Sequence, residues 1–144
     1  IRGRKIKIIY EDSQAKPDQA ILSFNRLTDL HNVQATLTAF SSVSTAIAPL
    51  ATRKKVLVVN PAAQTNRLQD VSPFLINTIP LVKDEAAAVV KFVWDTLKLR
   101  KAGLIYENAA AGIDGRDDFK KAFLALGGAL AMGKPTTAAT AAGR

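Results

Sequence analysis

Two short stretches carry residue types suited to holding a charged small molecule. Ser41 and Ser42 follow an apolar run and open a helix-like segment, residues 42–52. Their hydroxyls, with the free N–H groups of a helix start, can hold a carboxylate or other anion. The second stretch is Pro61-Ala62-Ala63-Gln64-Thr65. Its small residues let a ligand approach the main chain, whose C=O can accept from an ammonium group. Each stretch also has a plainer reading: Ser41 or Ser42 as an N-cap worth about 1 kcal/mol, and residues 61–65 as an ordinary loop. Both follow strand-like runs, residues 33–37 and 55–59, and ligands collect at strand carboxyl ends in parallel α/β sheets. We therefore expect Ser41, Ser42 and residues 61–64 to form one lip of a small-molecule site.

Other chemistry finds little support. The chain has no Cys, which excludes disulfides, thiolate zinc sites and a Cys nucleophile. His31 is the single His, placed at a helix end, and is read as structural; no Ser–His–acid set can be assembled. The acidic pairs Glu11/Asp12, Asp84/Glu85 and Asp117/Asp118 are adjacent in sequence, and adjacent residues do not converge on one helix face. No catalytic residue, metal site or cofactor is expected. Residues 128–134 (GALAMGK) superficially match a phosphate-binding loop, but Pro135 stands where that loop needs Ser or Thr. The net charge of +8 raises a nucleic-acid reading. The basic residues are dispersed, however, and no aromatics interleave with them, so no nucleic-acid partner is expected. With 48% hydrophobic and 22% charged residues, the composition is that of a globular domain. No apolar run approaches the roughly 20 residues of a membrane span, so no direct membrane insertion is expected. The opening IRGRK carries no signal-peptide pattern; a processed or truncated chain opens in the same way.

These stretches need a scaffold, and the pattern along the chain supplies one. Residues 5–10 (KIKIIY) alternate and then become continuously apolar, which predicts a strand. Pro17 and Asp18 open a helix with an apolar face at Ala20, Ile21, Phe24, Leu27 and Leu30. Strands are predicted at 33–37, 55–59 and 74–79, with a helix over 42–52 between the first two, Pro49 tightening or ending its last turn, and a polar loop over 61–72. Asp84 and Glu85 open what reads as the longest helix, to about Leu97, facing inward through Ala88, Val89, Phe92, Val93 and Thr96. A strand at 102–106, a loop at 107–114 carrying Gly112, and a helix from about Gly115 to Leu126 follow, the helix facing inward through Phe119, Ala122, Phe123 and Leu126. Gly127-Gly128 is a stop signal, and residues 129–132 form a final short strand. The tail, 134–144, has almost no bulky apolar side chain and is expected to be loosely held. Alternating strands and helices define an α/β class with parallel sheets flanked by helices.

Four segments in order, RGRKIKIIYEDSQAKPDQAILSFNRL, FSSVSTAIAPLATRKKVLVVNPAAQ, INTIPLVKDEAAAVVKFVWDTLKLRKAGLIYEN and GRDDFKKAFLALGG, resemble type I periplasmic substrate-binding proteins of ABC importers. The nearest subgroup is that of the leucine/isoleucine/valine-binding proteins. The resemblance spans about residues 3–128. It implies a two-lobed, non-catalytic, extracytoplasmic receptor that closes about a hinge on a small polar ligand, such as a branched-chain amino acid, and delivers it to importer membrane subunits. Ser41 matches the serine that holds the ligand carboxylate, with Ser42 contributing its N–H. Ala62 matches the residue whose carbonyl takes the ligand ammonium. Gln64 stands where Thr is usual and also grips the carboxylate.

The resemblance further implies a division into residues 1–79 (part of lobe one), 80–84 (hinge crossing) and 85–133 (beginning of lobe two), the arrangement being an incomplete two-lobe one. The chain departs from the family at Thr38-Ala39-Phe40, which replace a Gly-Pro pair, and at Ala111, which replaces an aromatic. The family's first strand would lie between residues 5–10 and 33–37, so the chain is expected to be part of a larger receptor. The competing expectation is a complete flavodoxin-like regulatory or nucleotide-binding domain, for which Asp12 is the only well-placed acid.

Overall fold

The computed structural model describes Gly3 and residues 5–132. The tail over 134–144 and the end of the GALAMGK stretch lie outside the described residues.

Pro17 sits at the first turn of α1 (Pro17–Asn25), where its missing N–H costs nothing and Asp18 meets the positive end of the helix dipole. A π-helical turn, Arg26–Leu30, extends it. Then come β1 (Ala35–Leu37), α2 (Ser41–Lys54), β2 (Leu57–Asn60), a 3₁₀ turn (Asn66–Leu68) and β3 (Leu75–Asn77). These three strands form a parallel sheet in the order β1-β2-β3, with Thr36 beside Val58 and Val59 beside Ile76. The chain continues through α3 (Val82–Lys91), a π-helical turn (Phe92–Thr96), β4 (Lys101–Leu104), α4 (Ala110–Ala125) and β5 (Ala129–Met132). β4 and β5 pair in parallel, Ala102 beside Leu130.

The first sheet packs on a continuous core. Phe24 of α1, Ile47, Ala48 and Ala51 of α2, Val58 of β2 and Leu68 are all buried within it. The alternation of half-buried and buried positions along β2 is that of a strand covered on both sides. The second sheet centres on Phe123, fully buried, with Phe119 stacked at 5.4 Å and Trp94 edge-on at 5.8 Å. The predicted stop after α4 holds: Gly127 has φ +88, and a Cβ on Gly128 would lie 2.4 Å from the Phe123 ring.

Five expectations are corrected. Residues 5–10 form no strand, and Ile6, Ile8 and Tyr10 are exposed. A strand needs a hydrogen-bonded neighbour, and none flanks this run among the described residues. The open edge of β1 is a groove of about 240 Å³ floored by Phe24, Val43 and Ile47, where Leu37 is exposed and Thr36 Oγ1 is shielded with no partner among the described residues. Pro49 neither ends nor closes α2; it lies on the exposed side, and the helix runs to Lys54 before Lys55 turns left-handed at φ 56. α3 buries Ala86 and Val90, while Ala88, Val89 and Phe92 are exposed; apolar residues stand on both sides of this helix, and α4 takes the other one. Residues 110–114 belong to α4, not to a loop, which makes α4, at 16 residues, the longest α-helix among the described residues. Within the predicted inward faces, Leu30 and Leu126 are exposed.

Candidate functional site

The start of α2 and the turn after β2 come together. Ser41 is the first residue of α2, and Phe40 before it takes the N-cap position at φ 63 with no side-chain cap. The expected Ser N-cap is therefore absent. The Ser41 hydroxyl serves elsewhere: its Oγ accepts from the main-chain N–H of Gln64 at 3.4 Å and of Thr65 at 3.2 Å. A serine hydroxyl has two lone pairs and one proton. With both lone pairs engaged, the O–H is left as a donor. The uncapped helix start adds N–H groups that have no intrahelical partner and the positive end of a 14-residue helix. Ser42, beside Ser41, is exposed.

The turn is shaped by Asn60, fully buried at the end of β2. Its Oδ1 accepts from Ala63 N at 2.7 Å and Ala62 N at 3.3 Å, and its Nδ2 donates to Ala63 O at 2.7 Å and to Asn77 Oδ1 at 2.8 Å. This clip leaves Ala62 exposed at the tip, its carbonyl oxygen without a donor among the described residues. Gln64 meets Ser41 through its main chain; its side-chain amide donates to Glu85 of α3. Ser41 and Gln64 are thus in direct contact, Ala62 lies two residues before Gln64 on the same turn, and Ser42 follows Ser41 on α2; the helix start offers donors and the turn an acceptor.

A further set of residues surrounds the turn. Thr65 Oγ1 and Asn66 N both donate to Asp114 Oδ2, at 2.5 and 2.9 Å, and Asn66 Nδ2 donates to Asp118 Oδ2 at 2.6 Å. Lys83 N donates to Asn66 Oδ1 at 3.1 Å, and Val82 N to Gln64 O at 2.8 Å. Arg116, next in α4, is paired with Asp117 at 2.7 Å and lies over the Tyr106 ring at 4.8 Å. Hydrogen bonding to Asp117, and then to Tyr106, holds its guanidinium pKa above the ordinary arginine value. Asn60, Asn66, Asp114 and Asp118 were not among the residues expected at the site, and Thr65 stood only at the end of the stretch singled out there. The placement of Asn60 after a β-branched run was the only local signal for any of them. Among the described residues no group of His, Cys, Asp and Glu has the arrangement to hold a metal ion, and no helix is long and apolar enough to cross a membrane.

The chain belongs to the periplasmic binding protein family, whose pattern matches residues 1–142. Solved structures share its fold of parallel strands flanked by helices. The leucine-binding protein LivK from Thermotoga maritima superposes with a TM-score of 0.80 at 22% identity, covering 94% of this chain and 38% of that one. The branched-chain amino acid binding protein LivJ from Streptococcus pneumoniae, solved with isoleucine, gives 0.85 at 18% identity, covering 96% and 39%. A solute-binding protein of an ABC transporter from Rhodopseudomonas palustris, solved with 4-hydroxybenzoate, gives 0.83 at 26% identity, covering 92% and 36%. The chain thus spans well under half the length of each. Comparison with curated proteins gave no match.

Proposed function

We propose that this chain forms part of a non-catalytic, extracytoplasmic solute receptor of an ABC importer, and that its site takes the carboxylate of a small molecule. One observation carries the reading: the Ser41 hydroxyl, its lone pairs held by Gln64 N and Thr65 N, is left as a donor at an uncapped helix start. The O–H, the N–H of Ser42 and the helix dipole together neutralise an anionic head. In this reading residues 1–79 contribute to lobe one, 80–84 cross between lobes and 85–133 begin lobe two. The solute lies between the lobes, which close about the crossing and present it to membrane subunits.

The Ala62 carbonyl supports an amino acid as ligand, because it can accept from an α-ammonium group while Ser41 holds the carboxylate. Gln64 reaches from the turn to Glu85 at the start of α3, which in this reading joins the first lobe to the beginning of the second. The Rhodopseudomonas neighbour solved with 4-hydroxybenzoate favours a second reading, an aromatic carboxylate without an ammonium group. Both readings share the head group and differ in what meets Ala62.

Thermal unfolding with L-isoleucine, L-leucine and 4-hydroxybenzoate tests this. A ligand at one hundred times its Kd adds about 2.7 kcal/mol, or about 9 °C for a chain of this size. If none of a panel of amino acids and aromatic acids raises the midpoint, the carboxylate reading falls. Ser41→Ala is expected to weaken the carboxylate that binds by about tenfold or more.

A further inference from the structure

The turn that meets Ser41 is gripped from its other side by α4. We propose that Asp114 and Asp118 are positioning residues for the solute site: they hold residues 64–66 so that two main-chain N–H groups stay on the Ser41 oxygen and its proton stays aimed outward. This deepens the proposed function and rests on its reading of Ser41 as a donor.

The geometry is specific. One oxygen of Asp114 receives two donors from consecutive residues, the Thr65 hydroxyl and the Asn66 N–H. Thr65 is fully buried, so without that carboxylate its hydroxyl has nowhere else to donate, and an unsatisfied buried group is costly. Asp118 lies one helical turn further on, on the same face of α4, and takes the Asn66 side-chain amide. The other end of that amide accepts from Lys83 N at the start of α3. Asn66 is therefore held at three points by two helices that follow it by 16 residues or more in sequence.

One glycine lets α4 come close: a Cβ on Gly115, next to Asp114, would lie 2.9 Å from Val82 Cγ2 of α3. α4 thus sits against the start of α3 with the turn caught between them. The line of action runs from the α4 carboxylates through the 64–66 main chain to the Ser41 lone pairs. Neither Asp114 nor Asp118 needs to touch the solute.

The test has two arms on the purified protein. In the first, amide hydrogen exchange is followed without ligand. Asp114→Ala is expected to speed exchange at residues 64–66 by about tenfold or more, the equivalent of about 1.4 kcal/mol, with β2 and β3 amides unchanged. Asp114→Asn, which keeps an acceptor oxygen, should lose less. Thr65→Val should resemble Asp114→Ala, and Thr65→Ser should restore protection. In the second arm, the affinity for whichever of L-isoleucine or 4-hydroxybenzoate binds is measured in a double-mutant cycle. Asp114→Ala should weaken binding about five- to thirtyfold alone and add almost nothing in a Ser41→Ala background, because it acts through Ser41. Unchanged exchange at 64–66, acceleration spread equally over the sheet, or full additivity with Ser41→Ala would each overturn the proposal. If the unmodified protein takes neither carboxylate, the ligand reading fails, while the exchange arm still decides whether α4 holds the turn.

Discussion

Replacing Asn60 by Ala tests how the turn after β2 is built. The side chain makes four hydrogen bonds in a fully buried position. Three of its partners sit in the turn: the N–H groups of Ala62 and Ala63 and the carbonyl of Ala63. Ala62 is exposed and can turn to water, but Ala63 is 1% exposed, so both of its main-chain groups lose their partner without gaining solvent. At about 1–2 kcal/mol for each unsatisfied buried group, the loss is about 2–4 kcal/mol. Unfolding entropy scales at about 2.1 cal/mol/K per residue, so each kcal/mol lowers the midpoint by about 3 °C in a chain of 144 residues. The expected fall is about 7–13 °C by circular dichroism. Asn60→Asp keeps the acceptor for Ala62 and Ala63 N–H but loses the donor to Ala63 O and Asn77, and about half the effect should remain. A fall below about 2 °C in Asn60→Ala would refute the reasoning, since it would mean that the turn does not depend on this clip.

Two further outcomes follow from the packing and the charges. Phe123→Ala empties the centre of the second sheet's core and should cost about 3–5 kcal/mol, read as a lower urea midpoint at unchanged m-value; a cost under about 1 kcal/mol would show that the Trp94–Phe119–Phe123 cluster is not a core. The side-chain hydrogen bond from Arg26 holds the Glu11 carboxyl below its ordinary value, and that from Lys54 does the same for Asp29. A depressed carboxylate pKa stabilises the fold above the unfolded value and is lost as pH falls through the folded one. The unfolding midpoint should therefore be flat near neutrality and drop below about pH 4.5, with a shallower drop in Glu11→Gln/Asp29→Asn; an equally steep acid limb in that variant would remove both pairs as contributors.

What local pattern can reveal, it revealed here. The β-branched run before Asn60, the proline that opens α1 and the paired glycines after α4 each act within a few residues, and what they mark (β2, the start of α1 and the end of α4) stands where expected to within a few positions. The failures share a cause, which is that the deciding partner is distant in sequence. Residues 5–10 have the alternation of a strand, but pairing depends on a neighbour that local pattern cannot supply. The period along α3 allows two faces, Ala88–Val89–Phe92 or Ala86–Val90, and only the position of α4 chooses between them. The Ser41 hydroxyl was open to an N-cap or a ligand role; the helix begins one residue early, with Phe40 at the cap, and the hydroxyl instead meets residues 23 and 24 positions away. Asp114 reaches Thr65 across 49 positions. Its type and context gave no sign of that, and residues 107–114, carrying Gly112, read as a loop, whereas the glycine lets Glu107 pack on the helix.

Isothermal titration of a carboxylate against its own carboxamide tests the central claim most directly. L-isoleucine with L-isoleucinamide, and 4-hydroxybenzoate with 4-hydroxybenzamide, change only the head group that Ser41 and the start of α2 are read as holding. The account predicts that at least one of the two acids binds and that its amide binds at least about tenfold more weakly. An amide that binds as tightly as its acid would contradict it.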